Sequence, residues 1–252
     1  MKENIVLAGK KILAEKLVSR SWGNISGRTD PHHFLITPSG CRYDTLSEDE
    51  LVSVEIETMK YDASLKPSSE IEMHQKIYAY IKEANFIIHT HQKYATAVSV
   101  INDEEGRRAF NIADYALAGT AQLAESVIQR AISSEKQYVI MANHGIIAWG
   151  KDCQEVFEIL NEVEQFCKDY VESLPQMEQK DEDIAYLDDY AQYFGEEKAK
   201  MSNCDISVYE EILSKNRLAQ RVAESCGSKP LDVEIVRFMR NKYVNQYSKL
   251  YK

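Results

Sequence analysis

IIHTHQKYATA, residues 87–97, ends an apolar run with two histidines one residue apart. In an extended strand, side chains at i and i+2 share a face. His89 and His91 therefore point the same way and Thr90 points the other. Two imidazoles on one face are half of a zinc or similar divalent site, although two polar residues where a buried strand meets solvent would leave the same trace. The stretch organises its surroundings: NFIIHTH reads as a strand, and TAVSVI continues from it as a helix.

Downstream, GTAQLAESVIQRAIS reads as a helix, QYVIMAN and GIIAWG as strands, and 152–174 as a long helix closed by Pro175. His144 falls in the turn between the two strands, where Gly145 permits close approach, so it is the best candidate for a third ligand. A catalytic zinc usually keeps three protein ligands and an open position. Upstream, PSSEIEMHQKIYAYIKEA reads as a helix with Ser69 as N-cap and Glu72 completing a capping box. His74 lies on its inward stripe and reads as a hydrogen-bonded core residue, whereas His32 and His33 fall in a turn and read as exposed. Residues 3–19 form an opening helix. SWGNISGR is a turn into a polar strand, HHFLITPSG a short apolar strand, and VSVEIET (52–58) a half-buried one. Beyond Pro175 acidic, tyrosine-bearing segments precede two helical stretches. The chain reads as one mixed α/β body with a helical C-terminal region.

The 252 residues suffice for a sizeable core, and 30 basic against 40 acidic residues leave a net charge of −10. That field repels polyanions, so nucleic acid and anionic membrane are not expected partners. The N-terminal MKENIVLAGKKILAEKL has no uninterrupted apolar stretch, and nothing in the chain approaches the roughly 18 apolar residues of a membrane helix. Five scattered cysteines without a CxxC fit reduced thiols in the cytoplasm.

Five motifs occur in order: GNIS (23–26), ITPSG (36–40), KPSSE (66–70), HTH (89–91) and NHGIIAWG (143–150). Together, over roughly residues 3–174, they resemble the class II aldolase/adducin superfamily, and within it the fuculose-phosphate aldolase branch. The resemblance implies a three-layer α/β/α fold around a largely antiparallel sheet in residues 1–174, with 175–252 as a helical extension. It matches His89, His91 and His144 to the ligands of Zn2+ or another divalent metal, and Glu70 to the catalytic acid/base. Asn24, Ser39, Gly40, Ser68 and Ser69 match positions lining the substrate's phosphate pocket. It implies a cytoplasmic homotetramer with active sites at subunit interfaces. The reaction implied is reversible cleavage of a ketose 1-phosphate to dihydroxyacetone phosphate and an aldehyde through a metal-stabilised enediolate. Dehydratases of the methylthioribulose-phosphate type, epimerases, decarboxylases and non-enzymatic adducin-like modules share the superfamily. Retention of the three histidines and Glu70 argues against the last.

One departure stands out. The stretch that holds the fuculose branch's active-site tyrosine is replaced by INDEEGRRAFNI, and Tyr115 aligns better with a following loop position. The proton donor is left unassigned, with C-terminal tyrosines (Tyr209, Tyr243, Tyr247, Tyr251) of a neighbouring subunit as possible replacements.

Overall fold

The structure is a computed structural model describing residues 1–18, 22–62, 64–176, 184–194 and 200–250, apart from the side chains of Cys204 and residues 243–250. The first half runs α1 (Lys2–Ala14), β1 (Asn24–Asp30), β2 (His33–Ile36), β3 (Val52–Glu55), α2 (Ile71–Tyr80), β4 (Phe86–Thr90), α3 (Lys93–Val98) and α4 (Glu104–Ala109). It continues β5 (Ile112–Ala113), α5 (Ala121–Ile132), β6 (Tyr138–Met141), β7 (Gly145–Gly150), α6 (Cys153–Ser173), α7 (Asp188–Tyr193), α8 (Asn203–Cys226) and α9 (Val233–Leu250).

The seven strands form one sheet in the order β3-β2-β1-β4-β7-β6-β5. Every pairing is antiparallel except that between β5 and β6. β4, β6 and β7 are buried at every residue, because helices cover both faces of the sheet. Ile87, Ile147 and Trp149 face α2 and α5, where they pack with Met73, Ile77, Val127 and Ile128. Ile88, Ile146 and Ala148 face the opposite layer and pack with Ile5, Val98, Phe157 and Leu160. The result is the expected α/β/α sandwich around a largely antiparallel sheet. The edge strand β3 alternates buried and exposed, as a strand with one covered face does.

α5 shows why these helices form. Leu123, Ala124, Val127, Ile128 and Ala131 make a continuous buried stripe, and the Thr120 hydroxyl accepts from Leu123 N–H at 3.3 Å. The expected cap of α2 is different. The N-cap is Glu70, it makes no side-chain capping bond, and the Ser69–Glu72 box does not form. Residues 66–70 are instead tied to the ITPSG strand end: Ser39 N–H donates to Lys66 O, and Ser68 N–H donates to Thr37 O. That pairing leaves Ser69 exposed and commits the Ser68 hydroxyl to Glu70 N–H, so neither serine sits where a cap would.

The C-terminal helices enlarge the core on the α1/α6 side. Ile212, Leu213, Val222 and Ala223 of α8, with Leu187 and Tyr190, join the cluster containing Ile5, Val98 and Leu160. Burying each large apolar side chain contributes roughly 1.5–3 kcal/mol. Asn216 Oδ1 accepts from the N–H groups of Tyr186 and Leu187, which anchors the approach to α7. No described helix is long and apolar enough to cross a membrane. Cys41, Cys153, Cys167 and Cys226 are free thiols, and the Cys204 side chain lies outside the described residues.

Candidate metal centre and its pocket

The centre lies at one end of the sheet, where β1 starts and β4 finishes. Register sets Asn24 opposite His89, and His89 opposite Ile147. His144 sits in the β6–β7 turn, which Asn143 makes possible by adopting φ 59°. Gly145 lets that turn come against β4: a Cβ there would lie 2.6 Å from Thr90 O and 3.3 Å from His89 Cε1. Gly23 plays the same part on the other flank, with φ +78° and room for no Cβ beside His89 O. Glu70, at the start of α2, completes the ring.

His89, His91 and His144 are buried and each offers a ring nitrogen, all within 4.8 Å of one another. His89 Nε2 and His91 Nε2 lie 3.0 Å apart. Glu70 abuts them, with Oε2 3.3 Å from His89 Nε2 and Oε1 3.7 Å from His144 Nε2. Backs of the rings are also specified. His89 Nδ1 donates to Ile146 O at 2.8 Å, and His91 Nδ1 to Asp189 Oδ2 at 2.5 Å. A neutral imidazole carries one proton. With each ring carrying its one proton on Nδ1, as a metal ligand must, both Nε2 atoms are bare and the 3.0 Å contact sets two lone pairs face to face. A cation placed between them converts that repulsion into coordination, so the donor set fits a divalent metal of zinc's preferences.

Electrostatics agree. Burial lowers the His89 pKa, and lowers that of His144 to about 3, so both rings stay neutral and able to donate a lone pair. Burial pushes the Glu70 pKa upward, but at the low pH where the carboxyl would take up a proton the His89 and His144 rings are charged, and their attraction with the Asn24 N–H outweighs burial, leaving the carboxyl at about 2. Asp189 shows the same balance: burial opposes its ionisation, attraction to His91 wins, and its pKa falls to about 2.

A cavity of about 140 Å3 opens onto this cluster. Asn24, Ser39, Gly40, Ser68, Ser69, Glu70, His91 and His144 all line it, so the proposed phosphate positions and the histidine centre share one space. A larger groove, about 910 Å3 and lined by Arg28, Gln75 and Tyr78 among others, touches none of the three histidines. His32 and His33 lie at the sheet's far end, outside the cluster.

Several groups at the centre escaped the sequence reading. Trp22, Asp189, Gln192 and Arg240 line the cavity, the last three from the C-terminal helices of the same chain. Nothing local marks Asp189, since its role depends on α7 folding back over 98 residues to meet His91. Among the tyrosines, Tyr209 is buried in the core against Tyr190 and does not reach the centre. Tyr251 lies outside the described residues, as do the side chains of Tyr243 and Tyr247. Tyr115 donates its hydroxyl to Asp188 Oδ1 at 2.9 Å, beside Asp189. Burial raises the Tyr115 pKa and Asp188 adds to the effect, which keeps the phenol protonated.

The profile of the Class II Aldolase and Adducin N-terminal domain family matches residues 3–171. The chain is 30% identical over 176 residues to 5-deoxy-D-ribulose 1-phosphate aldolase of Bacillus thuringiensis, an alignment covering 66% of this chain and 81% of that one. It is 35% identical over 162 residues to L-fuculose phosphate aldolase of Methanococcus maripaludis, covering 60% and 86%. A solved L-fuculose 1-phosphate aldolase superposes with TM-score 0.61 and 25% identity over 84% of this chain and 95% of that chain.

Proposed function

Because the chain belongs to the class II aldolase and adducin family, we propose that it is a metal-dependent lyase. Its reaction would be reversible cleavage of a ketose 1-phosphate to dihydroxyacetone phosphate and an aldehyde. The observation that carries this reading is the convergence of three buried imidazoles and one carboxylate beside a cavity that His91, His144 and Glu70 line together with Ser39, Gly40 and Ser68. His89, His91 and His144 would hold the ion, zinc by the chemistry of three imidazoles. A bound cation supplies Lewis-acid stabilisation of the negative charge that develops on substrate oxygens.

The protein groups divide the remaining work. The hydroxyls of Ser39, Ser68 and Ser69, the Gly40 N–H and the second Asn24 amide N–H would hold the phosphate and so fix the reacting carbons near Glu70. Arg240 and Gln192 add a cation and an amide to the same cavity, which offsets the chain's net charge of −10 locally. In the condensation direction Glu70 takes a proton from the carbon bearing the substrate hydroxyl, and that bond's electron pair stays with the substrate. A cytoplasmic homotetramer with sites at subunit interfaces belongs to the same reading, and light scattering of the purified protein tests the assembly.

Metal content by mass spectrometry, together with release of dihydroxyacetone phosphate from 5-deoxyribulose, fuculose, rhamnulose and ribulose 1-phosphates, tests the function. Stoichiometric zinc and release from at least one ketose are expected. A folded protein that takes up no divalent metal, or a loaded one inert to all four, would refute the lyase.

A further inference from the structure

Behind Glu70 runs a buried chain of hydrogen bonds of which, beyond Asn24, the proposed chemistry uses no member. Asn24 Nδ2 lies 2.7 Å from Glu70 Oε2, and Asn24 Oδ1 lies 2.5 Å from His74 Nε2. His74 Nδ1 is 2.6 Å from Ser26 Oγ, which is 2.8 Å from the Tyr78 hydroxyl. All five side chains are buried. The direction of every bond follows from its end. A carboxylate can only accept, so Asn24 must turn its NH2 toward Glu70 and its oxygen toward His74. That oxygen needs a donor, which places the single proton of neutral His74 on Nε2. The bare Nδ1 then accepts a hydrogen bond from the Ser26 hydroxyl, and the Ser26 oxygen accepts one from the Tyr78 hydroxyl. Reversing one link would set two acceptors or two donors face to face throughout, at about 1–3 kcal/mol for each unsatisfied buried group. Burial lowers the His74 pKa to about 3, in keeping with a neutral ring.

The far side of Glu70 completes the picture. Oε2 is tied to Asn24, while Oε1 is buried, has no hydrogen-bond partner among the described residues, and looks toward His144. We propose that His74 is a positioning residue for Glu70: its Nε2–H locks the Asn24 amide, which pins Oε2 and leaves Oε1 as the oxygen that receives the substrate proton. This rests on Glu70 acting as the base. The proton moves from substrate carbon to Oε1, the C–H electron pair stays on the substrate, and His74 neither gains nor loses a proton. Without the lock the amide can rotate, present its oxygen to the carboxylate and push Glu70 out of line.

The test has an arm that needs no turnover. Imidazole 15N spectra of the metal-free protein, with the His74 signals identified by their loss in His74→Gln, should show the Nε2–H tautomer. An Nδ1–H tautomer or an imidazolium at pH 7 overturns the proposal whether or not the protein is an aldolase. The kinetic arm uses the zinc-loaded protein and the exchange of dihydroxyacetone phosphate protons with D2O. His74→Leu should lower the exchange kcat about tenfold or more, with zinc content kept and KM within about twofold. His74→Gln, whose amide N–H can reach Asn24, should recover much of it. In an Asn24→Ala background His74→Leu should change kcat by less than about twofold, because the two act through one path. Additive losses, or zinc lost in step with activity, would show a merely structural histidine. Should His74→Leu fail to fold, Ser26→Ala is read instead: it keeps the ring but frees Nδ1, so a mixed tautomer and a kcat about threefold or more lower are expected. Unchanged turnover in Ser26→Ala overturns the proposal. Wild-type exchange, measured alongside, decides the aldolase reading separately.

Discussion

At His91 what matters is which nitrogen is left bare. Asp189 holds Nδ1–H, so Nε2 faces His89 with only its lone pair, and the two rings meet at 3.0 Å. This predicts that Asp189→Asn keeps the fold but weakens metal affinity about 10–100-fold, read by competition with a chromogenic chelator. His144→Ala and His91→Ala should each lose the bound metal outright, seen as metal-free protein after desalting. Glu70→Gln should retain metal, because the imidazoles remain, yet lose about 10²-fold or more in turnover. Near-full turnover in that variant would remove Glu70 from its role. The histidine pair was legible at this scale, since strand periodicity alone puts His89 and His91 on one face. Asp189 was not, because a contact spanning 98 residues leaves no local trace.

At the scale of elements, two glycines set how closely strands and turns approach. Gly145→Ala would drive a Cβ to 2.6 Å from Thr90 O, so β7 must part from β4 exactly where His144 meets His89. A loss of roughly 2–4 kcal/mol in chemical denaturation is expected, together with weakened metal binding. The Ser69–Glu72 capping pattern, by contrast, reads as a helix start and is not one. Local propensity for a cap lost to the pairing of residues 66–70 with the ITPSG strand end, which drew Ser68 inward and left Ser69 outside. Sequence periodicity reported the helix body correctly because its stripe of Ile71, His74, Ile77 and Tyr78 answers to the core, while the cap answered to the ITPSG strand end, where Thr37 O accepts from Ser68 N–H.

The whole molecule carries its buried neutral histidines as an acid liability. His74 and His144 take up protons at 6.5 when unfolded but only at about 3 when folded. Between those values the unfolded chain binds protons that the native chain refuses, so stability is full above the upper value and declines as pH falls toward the lower. Each imidazole can shift the unfolding equilibrium by up to tenfold per pH unit. Metal-free protein should therefore show a urea midpoint clearly lower at pH 4.5 than at pH 7, and an unchanged midpoint would mean that the rings are charged or exposed. Truncation after residue 176 should expose the core surface that Leu187, Tyr190, Ile212 and Val222 cover and delete Asp189, Gln192 and Arg240 from the cavity. The expected result is an aggregating chain of poor metal affinity, checked by gel filtration.

The sequence by itself determined the continuous apolar runs that bury both faces of β4 and β7, the face shared by His89 and His91, and the five motifs whose order marks the family. Each is local, governed by the repeat of a strand or helix or by a few adjacent residues. Only the tertiary structure decided which nitrogens of His89 and His91 face each other, which Glu70 oxygen is free, and that the C-terminal helices line their own chain's cavity. Those outcomes depend on partners brought from distant parts of the chain, and a buried polar atom takes its role from whichever partner reaches it.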